Sequence, residues 1–210
     1  MEVHCTNSEC ASSLWIIGDS INAVYEMLLF DCEDLLESKQ YAYCVLNASQ
    51  AFESFASLFL RVRLCYRPYA RDQHRDLTSL NDSLAELYAE SKDFGFAKLR
   101  AIVSNLILQA TEPTTLTEAR TLIRSIAALT SAPSKVLIAG YGDQRVAQLL
   151  RKLQLTRVHE CRNKVVHQRA FRPTRAQAEA AVEEARTILF PLGDALGILG
   201  DDITRYPHKA

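Results

Sequence analysis

Apolar residues recur every three or four positions along almost the whole chain, and few helix breakers interrupt them. Between Tyr41 and Leu64 the series Val45, Ala48, Phe52, Phe55, Phe59 and Val62 keeps to one side of a helix. Leu14, Ile17, Ile21, Val24, Leu28 and Leu35 do the same before it. With 7 glycines and 6 prolines in 210 residues, turn-rich β architectures have too little turn material. The pattern predicts an all-α fold, an antiparallel helical bundle with additional helices. It is expected as a single domain over 1–210, with 113–143 as an elaboration.

Individual boundaries follow from caps and breakers. Ser12 or Ser13 is placed to cap a first helix running to about Gln40. A second follows with almost no loop, from about Tyr41 to Leu64, and Pro68 closes it. Two long amphipathic helices joined this tightly imply an antiparallel hairpin. Further helices are expected over 78–91 and 94–110, either separate or continuous. Thr115 and Glu118 read as a capping box for a helix to Thr130. Asp143 is placed to cap a helix to about His167. Thr174 and Gln177 repeat the box for a final helix, which Pro191 and Gly193 kink or break before a charged tail. The run from Val136 to Asp143 lacks the third glycine of a dinucleotide-binding loop, with Arg145 in its place. No neighbouring strands are expected either, so it reads as a helix-to-helix connection.

Composition excludes little but locates charge. Hydrophobic residues make up 48% and the net charge is −1, ordinary for a globular protein. The N-terminus, Met1-Glu2-Val3-His4, has no basic stretch. The first apolar run, Leu14 to Ile17, is too short for a signal core or membrane span, so a cytoplasmic location without membrane contact is expected. Cys5, Cys10, Cys32, Cys44, Cys65 and Cys161 form no C-x-x-C pair and read as reduced thiols. His4, Cys5 and Cys10 could supply three zinc ligands, but no second pair completes a tetrahedral site, and neither metal nor cofactor is expected. From Gln144 to Ala178 the cations Arg145, Arg151, Lys152, Arg157, Arg162, Lys164, Arg169, Arg172 and Arg175 face one anion, Glu160. The first forty residues are acidic against Lys39 alone. The basic run suits a polyanion, or else a solvated helix surface.

Within that run lies Arg162-Asn163-Lys164-Val165-Val166-His167, near a helix end. At about 100° per residue, Val158, Val165 and Val166 lie within about 60° of Arg162, so an apolar arc should enclose the arginine. A buried permanent cation needs a partner, and histidine titrates near neutrality, so the pair suits chemistry on a phosphate. The same residues also suit structural work. His167 can cap the last carbonyls of its helix, and Arg162 can pair with Glu53 or another carboxylate. His159, one turn before Asn163, could assist.

The arginine, the polar residue after it and the histidine beyond four intervening positions carry a resemblance. They sit near a helix C-terminus, with a short basic loop and a capped helix following. In this the segment resembles the HEPN superfamily, whose signature is Arg, four to six residues, then His, often with a polar residue after the Arg. Asn47-Ala48-Ser49-Gln50-Ala51-Phe52-Glu53 is similar to a HEPN core helix. The resemblance implies a HEPN-like bundle that forms a homodimer, with two motif copies in one cleft. It implies a metal-independent endoribonuclease of a toxin–antitoxin or defence system, with RNA as substrate and an antitoxin protein as partner. By position, Arg162 and His167 are then the catalytic pair and Asn163 the accessory group, with Arg157, Lys164, Arg169 and Arg172 as RNA contacts. RNA supplies its own 2′-OH nucleophile, so the products are a 2′,3′-cyclic phosphate and a 5′-OH, and DNA is inert. The alternative is a non-catalytic HEPN-type dimerisation or partner-binding module. Some HEPN toxins carry a tyrosine two residues after the histidine, where a nucleotidyltransferase adds AMP. Arg169 stands there in this chain, which argues against that regulation.

Overall fold

The computed structural model describes residues 2–4, 13–15, 23–72, 76–109 and 111–198. Among them, ten α-helices follow one short ribbon. Strands β1 (Glu2–His4) and β2 (Ser13–Trp15) pair antiparallel, Val3 opposite Leu14. The expected helix start at Ser12 or Ser13 is therefore wrong. Helix α1 runs Val24–Glu37, and Glu26 accepts a hydrogen bond from the Ala23 N–H at 3.3 Å. The apolar spacing read from Leu14 therefore began on strand residues, because apolar positions over a short run do not separate strand from helix. The candidate zinc donors Cys5 and Cys10, together with His74, His208 and the charged tail, lie outside the described residues.

The expected hairpin forms. Helix α2 (Tyr41–Arg61) packs against α1 across a turn in which Lys39 takes φ 59° and the Gln40 N–H bonds the Leu35 carbonyl at 2.7 Å. Cys32, Cys44 and Cys65 are buried free thiols, and Cys161 is half-buried. Pro68 does not end the second helix. The chain passes through a π-helical turn, Val62–Tyr66, into α3 (Arg67–Arg71). Proline has no N–H and its ring crowds the carbonyl four residues back; the wider turn, with Arg67 N–H bonded to the Val62 carbonyl, accommodates both.

Helices α4 (Leu77–Ser91) and α5 (Phe96–Leu108) are separate, broken before Gly95. Asp76 caps α4 through the amides of Thr78 and Ser79. Thr115 caps α6 (Leu116–Arg124), although the Glu118 carboxylate reaches Thr114 rather than the cap residue. The helix expected to reach Thr130 finishes as a 3₁₀ turn, Ile126–Leu129. Helix α7 (Lys135–Ala139) leads to α8 (Gln144–Leu155), capped by Asp143 as expected. Then the chain departs from expectation. The helix predicted to reach His167 breaks at Thr156 and Arg157, and α9 (Val158–His167) starts afresh. Thr156 is extended and buried, and its hydroxyl accepts from the Val158 N–H, a local bond that competes with helix continuation.

Helix α10 (Arg175–Ala195) begins with the expected Thr174/Gln177 box. It runs through Pro191 and Gly193 instead of breaking, because buried Ile188, Leu189 and Leu192 hold the turns on either side. Gly193 has a packing reason: a Cβ there would stand 3.0 Å from the Tyr25 hydroxyl and 3.6 Å from Phe55. Tyr25 and Phe55 meet edge-on at 5.3 Å in the centre of the core. Leu116, Ile123, Ile126 and Ile138, from the segment 113–143, join that same core. No helix among the described residues is long and apolar enough to cross a membrane.

One ion cluster fastens the irregular region to this core. Glu112 accepts from Arg63 at 2.6 Å, Arg67 at 3.2 Å and Arg71 at 2.8 Å. The Arg63 side chain is only 7% exposed. Burial pushes the Glu112 carboxyl up, but the three guanidinium groups outweigh it and hold it below the usual carboxylate range. Glu112→Ala strands the Arg63 charge and should cost roughly 3 kcal/mol in urea unfolding at neutral pH. The depressed pKa makes this contribution complete above the unfolded value of about 4.3, and lost as pH falls through the folded one. Glu112→Gln should accordingly flatten the acid limb of stability against pH.

Candidate functional site

Helix α9 packs on α2 and α10. Val158 is buried, Val165 and Cys161 are half-buried, and Lys164 and His167 are exposed. Val166 is 49% exposed, so the apolar arc expected around Arg162 is incomplete. Arg162 is half-buried, at the edge of the packed flank. Its Nη1 donates to Asn163 Oδ1 at 3.2 Å, and it forms no ion pair with Glu53 or any other carboxylate among the described residues. The helix end is closed by the Gln168 N–H on the Lys164 carbonyl, a backbone bond that leaves His167 facing solvent.

Helical geometry sets the mutual placement. Arg162 and His167 are five residues apart and diverge by about 140° around the axis, with Asn163 between them. Asn163 is one turn before His167 and nearly in line with it. His159, Asn163 and His167, spaced by four, form one stripe along α9. A single protomer therefore offers a braced arginine–amide pair on one flank and a free imidazole on the next.

The flanking cations are less uniform than the sequence suggests. Arg157 is bound to Glu160 at 2.9 Å, while its N–H donates to Glu184 at 3.1 Å, fixing the start of α9 to α10. Lys164 Nζ lies 5.9 Å from the centre of the Phe171 ring. Arg172 donates to the carbonyls of Arg169 and Phe171, shaping the loop after α9, and Arg169 is exposed there. Arg169 and Arg172 lie at the His167 end. Arg157 lies at the other end, about 15 Å along the helix.

A neighbouring group escaped the sequence reading. His159 stacks on Phe96 of α5 with ring centres 5.0 Å apart and planes 15° from parallel. Phe52 of α2 meets Phe96 edge-on at 5.4 Å. The Arg100 guanidinium stands over the same ring, 5.7 Å from its centre. Burial first, and then Arg100, lower the pKa of His159, so the ring is neutral at neutral pH. Its Nδ1 is buried outside hydrogen-bond geometry, and Glu160, Glu184 and, least, the Thr156 carbonyl pull the other way without reversing the shift. Burial also lowers the pKa of Arg100, which remains a cation. The spacing of Phe96 and Arg100 on one helix was a readable cation–π signal. Their meeting with His159, more than fifty residues away, was not. Among the described residues no three His, Cys, Asp or Glu side chains gather to hold a metal ion. No protein-family model, curated protein or solved structure matches this chain.

Proposed function

We propose that this protein is a metal-independent endoribonuclease of HEPN type, a toxin or defence effector that cleaves RNA as a homodimer. The observation that carries the reading is the Arg162–Asn163 pair: a half-buried guanidinium held by an amide, with no ion pair to a carboxylate among the described residues, and with an exposed imidazole one turn beyond the amide. That arrangement suits a phosphate, which would supply the missing negative charge.

The chemistry follows from the groups present. A histidine takes the proton from the ribose 2′-OH, and the oxygen attacks the adjacent phosphorus. Arg162 braces the equatorial oxygens of the phosphorane through its planar fork, while Asn163 holds the fork in register. Departure of the 5′-oxygen requires a proton, and breaking that bond leaves a 2′,3′-cyclic phosphate and a 5′-OH. The divergence of Arg162 and His167 around α9 supports the homodimer, because two motifs across a twofold axis place the arginine of one copy near the histidine of the other. One histidine then acts as base and its counterpart as acid.

A second reading has one observation in its favour: Arg162 and His167 share no hydrogen bond and face different flanks. It makes the chain a non-catalytic HEPN-type dimerisation or partner-binding module.

Incubation of purified protein with RNA separates the two. Cleavage should persist in EDTA, spare the DNA of equal sequence, and leave cyclic-phosphate ends. His167→Ala should lower the rate by about 10²-fold or more, with the helical circular dichroism unchanged. Arg162→Ala should lower it by about 10²–10³-fold. Cleavage that survives His167→Ala comes from a contaminant or another site and removes His167 from the mechanism, while a wild-type protein without ribonuclease activity leaves the binding module as the function. Light scattering at micromolar concentration should return twice the monomer mass, and a strictly monomeric protein would remove the basis for the shared cleft.

A further inference from the structure

Among the described residues, four of the seven buried or half-buried arginines are neutralised by a carboxylate. Arg63 and Arg67 sit on Glu112, Arg120 on Glu86 and Arg186 on Glu33. Arg61, Arg100 and Arg162 have no such pair among the described residues, and the last two share a neighbour. Arg100 stands over the Phe96 ring on which His159 is stacked, and Arg162 is one turn along α9 from His159. Glu53 lines the same crevice as Arg100, between α2, α5 and α8, yet the two make no ion pair. Arg100 feels only desolvation, with no acidic group offsetting it. A desolvated guanidinium without a counter-charge is costly to the folded protein, and an anionic ligand would remove that cost.

We propose that Arg100, seated on the Phe96–His159 stack, is a second phosphate-binding subsite for single-stranded RNA. It extends the Arg162–Asn163–His167 site along α9 toward α5. This rests on the ribonuclease reading for the identity of the ligand. The subsite itself rests on the Arg100 environment. Phe96 carries both the His159 ring and the Arg100 guanidinium, so it supports these two groups. What remains for the ligand is the hydrogen-bonding edge of the guanidinium, which matches phosphate oxygens. The stripe from His159 to His167 covers about 12 Å of helix axis. Arg100 joins this stripe at His159 through Phe96, and there it would take a phosphate next to the scissile one. Arg100 binds and does not react.

The test uses the full chain carrying His167→Ala, a short fluorescein-labelled RNA, anisotropy to read binding, and NMR to follow the His159 titration. Bound phosphate beside the ring should raise the His159 pKa, and Arg100→Gln should weaken RNA binding about tenfold and abolish that rise. Arg100→Lys, which keeps the charge without the fork, should recover part of the affinity and checks that the bundle survives change at this position. Arg124→Gln, at an exposed arginine paired with Glu86, should leave binding unaltered. Equal RNA affinity with and without Arg100→Gln, with an unmoved His159 titration, overturns the subsite. If that result accompanies RNA cleavage by the wild-type protein, the ribonuclease reading stands without it. Arg100-dependent RNA binding by a protein that never cleaves RNA keeps the subsite and removes the ribonuclease. A His159 shift produced by inorganic phosphate, in a protein that binds no RNA, overturns the assignment to RNA.

Discussion

Helix α2 has almost no free side, and the remaining helices are placed by the need to cover it. Cys44, Val45, Ala48, Ala51, Phe52, Phe55, Ala56, Leu58, Phe59 and Leu60 are all buried, so apolar surface surrounds the helix instead of forming one stripe. Burial of that surface is the main favourable term in folding, and it requires neighbours on every flank. Helices α1, α5, α9 and α10 supply them. The candidate site inherits its geometry from this arrangement. Phe52 meets the Phe96 edge that positions the start of α5, and α9 turns its Val158 flank inward because α2 is there to receive it. Gly193 lets α10 come close to Tyr25 and Phe55 on the opposite side.

Charge is distributed on a different logic. Carboxylates are placed where irregular structure must be held: Glu112 gathers three arginines at the end of the extended second helix, and Glu86 ties α4 to α6 through Arg120 and Arg124. Among the described residues, Arg162 on α9 and Arg100 on α5 form no ion pair with a carboxylate. Only Arg157, at the far end of α9, is occupied by Glu160 and the backbone contact to Glu184. The net charge of −1 conceals this division, since neutralisation is thorough in one region and absent in another. A local field of one sign attracts a polyanion whatever the total charge.

In the proposed reaction the protein contributes a preorganised cation and a proton carrier, while RNA contributes the nucleophile. That economy is consistent with an exposed histidine at a helix end, where ring and helix dipole meet without burial. The arginine gains more from its setting. Partial burial strengthens its pull on a phosphate, and the bond to Asn163 reduces the number of orientations it must give up on binding.

The elements with strong local signals were legible in the residues themselves. The apolar period of α2, the caps Thr115, Asp143 and Thr174, and the tight link between α1 and α2 are set within a few residues of chain, and they specify an all-α protein. Arg162, Asn163 and His167 were visible as neighbours for the same reason. What the sequence could not decide depended on groups far apart in the chain. Proline signals at Pro68 and Pro191 were overridden by a π-helical turn and by buried leucine and isoleucine packing, and the threonine that divides α8 from α9 looked like any other helix residue. Whether Arg162 would be paired depended on which carboxylates the fold brought near it, and among the described residues none forms an ion pair with it. Phe96, Arg100 and His159 became one group only when α5 and α9 were laid side by side against α2, because an aromatic stack has no signature until its two rings are in the same place.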